Sequence, residues 1–355
     1  MTTKPEHSGT TAATRLPAEW EPQEAVLIAW PHEATDWAPM LPEVHECYNA
    51  LAHAIAARAR VIVAGPGLDD ARRALADVPH HRKTFVSIDT NDTWTRDYGA
   101  ITTLDHAGHP TLHDFCFNGW GLKFASCLDN MATRALIRAG AITGTYDNRL
   151  GFVLEGGSID SDGRGTILTT SACLMSACRN GDLNRGQIEE QLRHTLGASR
   201  VLWIDYGALA GDDTDSHIDT LARLAPHDTI IYTACDDPAD EHFYQLQAMK
   251  MQIQELRTSD GQPYNLIELP LPDAIYDEDG ERLPATYANF LPLNGAILMP
   301  VYGQPRKDRL ACDTMRVAFD GYEIVPVDCR ALIRQHGSLH CATMQFPPQA
   351  IPTHE

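Results

Sequence analysis

The chain has 355 residues, 43% of them hydrophobic and 21% charged, with a formal net charge of −20. That composition suits a soluble globular protein with a sizeable core, and the negative charge argues against nucleic acid or an anionic membrane as partner, since both reward clustered Lys and Arg. An acidic field favours encounter with a cationic ligand instead.

The first sixteen residues, MTTKPEHSGTTAATRL, contain no apolar stretch of signal-peptide type and are expected to form a disordered tail. Residues 17–355 show no Pro/Ser-rich linker or shift in composition and are expected to form one domain. No run approaches about 18 consecutive apolar residues, so no transmembrane helix is expected. Nine cysteines, scattered without C-x-x-C spacing, argue for reduced cytoplasmic thiols rather than a disulfide framework or a zinc ribbon.

Short apolar runs then recur along the chain. AVLIAW begins at Ala25, GAITTL at Gly99, GTILTT at Gly165, TIIYTA at Thr229 and GAILMP at Gly295, with starts separated by 74, 66, 64 and 66 residues. A second run follows each: VIVAG from Val61, AITGTYD from Ala141, VLWID from Val201, NLIEL from Asn265 and EIVPV from Glu323. Helical patterns over Pro42–Arg58, Leu183–Leu196 and Glu241–Arg257 lie between partners. A doubly wound α/β sheet would also alternate in this way. The near-constant spacing instead predicts five quasi-equivalent ββαβ-type units around an axis, a five-bladed pseudosymmetric α/β propeller.

The unusual polar residues precede the first strands. NDTWTRDYG holds Trp94, Arg96 and Asp97; LEGGSIDSDGRG holds Glu155; GDDTDSHIDTLAR holds Asp212, Asp213, His217 and Asp219; YANFLPLNG holds Tyr287, Asn289 and Asn294. Cys341, in HGSLHCATMQF, stands in the analogous place if the last unit closes onto the strand at Ala25. In a ring of repeats these positions all face the axis, so they converge on one central pocket.

Each residue alone has a plain structural reading. Cys341 reads as one more buried thiol. His217 and Asp219 alternate as H-x-D, which on a strand points both the same way, and such a pair also serves structure. Asp97 beside Arg96 reads as a local ion pair, and Glu155 before two glycines as part of a turn. His217/Asp219 or His336/His340 have metal-ligand spacing, but Gly337 interrupts any helix there and no third ligand joins, so no metal is expected. No G-x-S-x-G elbow points to a serine hydrolase. As a set, a thiol, a histidine and crowded carboxylates call for a cation. A guanidinium satisfies two carboxylates bidentately and exposes a central carbon to a thiol nucleophile, with histidine moving protons.

The motifs W-E-P-Q-E, N-D-x-W-x-R-D at 91–97, E-G-G-S at 155–158, G-D-x-T-x-x-H-I-D at 211–219, Y-A-N-F…N-G-A at 287–296 and L-H-C-A-T-M-Q resemble those of the agmatine deiminases and Porphyromonas-type peptidylarginine deiminases of the guanidino-group-modifying superfamily. The resemblance runs from Glu19-Trp20 to about Phe346. It implies the same propeller, one axial site, no cofactor and no metal. It makes Cys341 the nucleophile and His217 the general acid/base, with Asp97 and Asp219 gripping the guanidinium and Glu155 orienting His217. Trp94, Asp212, Asp213 and Asn289 would serve substrate binding.

The implied reaction is hydrolysis of agmatine to N-carbamoylputrescine and ammonia through a Cys-thiouronium intermediate, in cytoplasmic polyamine supply. A small cationic guanidino compound is then the partner, with a homo-oligomer expected by analogy. The loop H-G-S-L-H-C replaces the family's usual G-G-G-N-I-H-C, which leaves peptidyl-arginine or free arginine as alternative substrates. An amidinotransferase and a non-catalytic binding module on the same fold are the further alternatives.

Overall fold

The computed structural model describes residues 14–352. Sixteen strands form five separate small sheets. They run β1 (Ala25–Ala29), β2 (Arg60–Gly65), β3 (Lys83–Ser87), β4 (Ile101–Leu104), β5 (Pro110–Cys116), β6 (Thr145–Val153), β7 (Ile159–Ser161), β8 (Thr166–Thr170), β9 (Arg200–Ile204), β10 (Ala222–Ala225), β11 (Thr229–Ala234), β12 (Asn265–Pro270), β13 (Leu291–Leu293), β14 (Ala296–Val301), β15 (Glu323–Asp328) and β16 (Met344–Phe346).

One pattern repeats in all five sheets. A short leading strand pairs antiparallel with a central strand, which pairs in parallel with a third. A parallel pair needs a long crossover, and helices supply it: Leu41–Ala56, Ala132–Arg138, Arg185–Leu196, Phe243–Glu255 and Pro305–Ala318. In the first sheet the leading strand is β16, from the other end of the chain, with Leu27 opposite Met344. The C-terminus therefore completes the unit that the N-terminus begins, and β3 adds a fourth strand there. The five units form the expected α/β propeller.

The central strands are apolar because they are covered on both faces. β1, β8 and β11 are buried along their whole length, whereas outer strands such as β12 and β15 are half exposed. The helices follow the same logic. Leu41–Ala56 enters through Pro42 in its first turn and buries Val44, Cys47, Tyr48, Leu51 and Ile55, one face at 3.6-residue spacing. Each large side chain buried this way contributes about 1.5–3 kcal/mol. Arg185–Leu196 opens with an Asn184/Gln187 capping box and ends on left-handed Gly197. The apolar residues gather in three clusters between neighbouring units rather than in one central core, which leaves the axis to polar groups.

The second unit departs from the sequence reading. GAITTL is its leading strand β4, and the central strand is β5, PTLHDFC, paired to β6 with Leu112 opposite Tyr146. Polar residues hide β5 in the sequence. His113 and Asp114 are both buried; the His113 ring is bonded to Thr103 and Asp147, and Asp114 accepts from Tyr146. The AITGTYD run overlaps only the start of β6. The expected tail falls outside the described residues up to position 13. At its end, Arg15 bridges to Leu104 and Leu16 N–H donates to Leu196. Among the described residues, no helix is long and apolar enough to cross a membrane.

Candidate active site

The five segments ahead of the leading strands meet at the axis. Asp97 lies in a helical turn, Thr95–Tyr98, just before β4, Glu155 precedes β7, His217 and Asp219 precede β10, Asn289 precedes β13, and Cys341 precedes β16. Each leading strand is short and buried, so these residues are held at fixed positions on rigid elements. His217 caps a 3-10 turn, Ile218–Thr220, rather than lying on a strand. The H-x-D pair reaches the site through that turn.

A cavity of about 120 Å³ opens here, lined by Trp94, Asp97, Trp120, Thr214, Thr220, Gly337 and Cys341, with Asp36, Asp92, Phe124, Asp213, Gln335 and His336 completing its wall. Cys341 Sγ lies 3.4 Å from Asn289 Oδ1 and 3.8 Å from Asp219 Oδ2. His217 Nδ1 is 3.7 Å from Asp97 Oδ1, and its Nε2 is 4.0 Å from Glu155 Oε2. Among the described residues, neither ring nitrogen has a hydrogen-bond partner, nor does Asp219 Oδ1. Buried polar atoms are rarely left so. Three such atoms in one place form a site prepared for a polar ligand.

The two carboxylates nearest the thiol are supported differently. Asp97 accepts from Trp120 Nε1 at 2.9 Å and from Gly157 N–H at 3.0 Å, both neutral donors. Burial, with the charges of Asp219 and Glu155, pushes its carboxyl well above the usual range. Asp219 accepts from His340 Nδ1 at 2.7 Å. Burial opposes its ionisation, but the His340 hydrogen bond and charge hold it below the usual range. Burial, Asp219 and Asp97 push the Cys341 thiol well up, and burial takes His217 down to about 3, so its imidazole is neutral at pH 7. An arriving cation reverses the first of these effects, because it favours thiolate and carboxylate alike.

Glu155 does not hydrogen-bond His217. Its carboxylate accepts from Arg179 Nε at 2.9 and 3.0 Å, with both side chains fully buried. Arg179 also donates to Asp215 Oδ2 at 2.5 Å and to the Thr214 carbonyl at 2.8 Å. Asp215 and Ser216 both have positive φ, 63° and 65°, so the loop that presents His217 is strained and tied down. Arg179 carried no motif that would have singled it out. Close packing explains the glycines as well. A Cβ on Gly157 would sit 2.6 Å from His217 Nδ1 and 2.9 Å from Asp97 Oδ1, and one on Gly337 would sit 2.4 Å from the Trp94 ring.

The remaining expected residues divide. Trp94 and Asp213 line the cavity. Asp212 instead accepts from the Thr214 hydroxyl and the Ser216 N–H, closing the strained loop. Asn289 serves the thiol segment: its Oδ1 accepts from the N–H groups of His340 and Cys341 at 2.8 and 3.2 Å. Arg96 turns away from Asp97 to Glu19, at 3.1 Å, and to Gln345. For a metal, Glu155, Cys173 and His217 are buried with ligand atoms within 4.8 Å of one another. The Arg179 guanidinium on Glu155 opposes a cation there.

Comparison with known proteins identifies the family. Residues 15–347 match the family model of the Porphyromonas-type peptidyl-arginine deiminases. A Stutzerimonas stutzeri agmatine deiminase is 31% identical, covering 94% of this chain and 95% of its own. Among solved structures, a C. jejuni agmatine deiminase variant with substrate bound is 36% identical (TM-score 0.88; 96% and 97% of the two chains). An arginine deiminase candidate from Porphyromonas gingivalis is 49% identical (TM-score 0.89; 96% and 100%). The chain belongs to the Porphyromonas-type peptidyl-arginine deiminase family.

Proposed function

We propose that the protein is a hydrolase that converts agmatine and water to N-carbamoylputrescine and ammonia. One observation carries the choice of substrate: among the described residues, the wall of the cavity that ends on Cys341 holds Asp36, Asp92, Asp97 and Asp213 and no Arg or Lys. The guanidinium end of agmatine meets Asp97 and Asp219. Its ammonium end meets the outer carboxylates, where the α-carboxylate of free arginine would find mostly like charge.

In the reaction Cys341 is the nucleophile, and His217 moves protons. His217 accepts the thiol proton as the thiolate adds to the guanidinium carbon, and gives it to the departing nitrogen, which leaves as ammonia. The adduct is a thiouronium on Cys341. Water then adds to the same carbon, one of its protons passing to His217 and on to the leaving thiolate and the other to solvent as the ureido carbonyl forms, and the product departs. Asp97 and Asp219 grip the guanidinium by charge-assisted hydrogen bonds, Trp94 packs along the channel, and Glu155 acts from behind His217 with Arg179. A second reading, deimination of peptidyl-arginine, is favoured by the family match.

Residues 17–355 serve as one deiminase domain, a reading supported by apolar clusters that join neighbouring units. A cytoplasmic setting is supported by nine unpaired cysteines. The test is ammonia and ureido-product formation from agmatine, free arginine and an arginine peptide, each offered separately, with Cys341→Ala as blank. Turnover of agmatine above the other two supports the proposal, and preference for the peptide supports the second reading.

A further inference from the structure

Behind the cavity lies a second, largely buried group of charges that meets the reaction only through Asp219. His340 is 0% exposed and does not line the cavity, although Cys341 follows it directly. Its Nδ1 is 2.7 Å from Asp219 Oδ2, and its Nε2 is 2.9 Å from both oxygens of Glu19. Glu19 also pairs with Arg223 and with Arg96, and Arg223 Nε donates to Asp160 at 2.9 Å. The backbone N–H of His340 donates to Asn289 Oδ1, which fixes the ring from its other side.

A neutral imidazole has one donor nitrogen and one acceptor nitrogen. Here both nitrogens face carboxylate oxygens at hydrogen-bond distance, so an acceptor at either place would set lone pair against lone pair. Arg223 Nη2, a donor, lies 3.3 Å from His340 Nε2, but the two Glu19 acceptor oxygens are nearer, at 2.9 Å, and call for a proton on that nitrogen. Charge balance points the same way. Glu19, Asp160 and Asp219 are three carboxylates, and Arg96, Arg223 and a doubly donating His340 are three cations. With one proton fewer, a buried carboxylate would go unmatched, which is costly in a low-dielectric interior.

We infer that His340 is a positioning residue: as a cation held between Asp219 and Glu19, it keeps Asp219 a charged carboxylate with its free oxygen aimed at the substrate's guanidinium. The pair gripping the guanidinium then has unequal members. Asp97 stands on neutral donors only, while Asp219 carries a permanent counter-charge at its back. The free Oδ1 of Asp219 is the atom left for substrate. His340 itself never meets the ligand.

The test has two arms, and only the kinetic one rests on the deiminase reading. In the first, the full chain is labelled with 15N-histidine and the ring nitrogens are observed by NMR at pH 7.5; the His340 signals are those missing from His340→Gln. Two protonated nitrogens are expected, and one bare nitrogen overturns the inference. In the second, kcat/KM for agmatine is followed against pH. Groups facing Asp219 are Asp97, Asp212, His217, Cys341, His340 and Arg223. With His340→Gln, kcat/KM near neutrality falls roughly 10–100-fold, and part of the loss returns at higher pH as Asp219 ionises without help. A uniform loss at every pH would mean that His340 only packs, and would overturn the inference. Glu19→Gln, which leaves the ring in place, should move the same limb by a smaller amount and serves if His340→Gln does not fold. Should the wild type turn over no guanidino compound, the NMR arm still decides.

Discussion

Trp120 Nε1 donates to Asp97 Oδ2 at 2.9 Å, and the indole forms part of the cavity wall. One residue thus shapes the channel and orients a carboxylate. The hydrogen bond is held by an unusual backbone, since Gly119, Trp120, Gly121 and Leu122 all have positive φ. Trp120→Phe keeps much of the wall and removes the donor. Hydrogen bonds to charged groups are worth about 1.5–3 kcal/mol, so kcat/KM should fall by roughly 10–100-fold, with little change in melting temperature.

Arg179 and Glu155 form a pair in which neither side chain is exposed. Removing one partner leaves a bare buried charge, which costs about 3–5 kcal/mol. Arg179→Met should therefore lower the urea midpoint sharply, and the double variant Arg179→Met/Glu155→Gln should recover much of the loss. Activity would not recover with it, because the loop 213–217 has lost its anchor. Urea melts and rates on the same samples separate the two effects.

Burial raises the Asp92 carboxyl to about 7, with Asp36 and Asp213 adding to the effect against the Thr93 hydrogen bonds. An ammonium group at the cavity mouth favours the ionised form. KM for agmatine should then fall as pH rises through about 7, and Asp92→Asn should raise KM and remove that step. Steady-state kinetics from pH 6 to 8.5 read both.

His217 is neutral in the folded protein down to about pH 3, whereas in the unfolded chain it titrates near 6.5. Between those values the unfolded state binds a proton that the folded state refuses, so stability falls as pH drops. At pH 5 the difference amounts to about 2 kcal/mol. His217→Gln should lose correspondingly less stability than wild type between pH 7 and pH 5 in urea titrations.

The architecture was legible where apolar runs repeat, because a covered central strand must be apolar along its length. It failed at β5, where His113 and Asp114 satisfy each other's surroundings through Thr103, Asp147 and Tyr146 and so break the run. The convergence of Cys341, His217, Asp97, Asp219 and Glu155 followed from equivalent positions in the repeat. Arg179, Trp120 and His340 lie outside that logic. They come from a crossover segment, an irregular loop and the residue beside the nucleophile, and only tertiary contact reveals their partners. The L-H-C motif carried the single available signal, a histidine fixed next to the thiol. Asp212 and Asn289 show the converse: polar residues in the right segment that turn to backbone N–H groups instead of the cavity.

The most direct test of the central claim is intact mass spectrometry of the protein quenched within its first turnovers of agmatine, with the modified peptide located by fragmentation. The account predicts a transient adduct on Cys341 with the mass of agmatine less ammonia, absent from Cys341→Ala. Turnover of agmatine by Cys341→Ala, or an adduct on another of the nine cysteines, would contradict it.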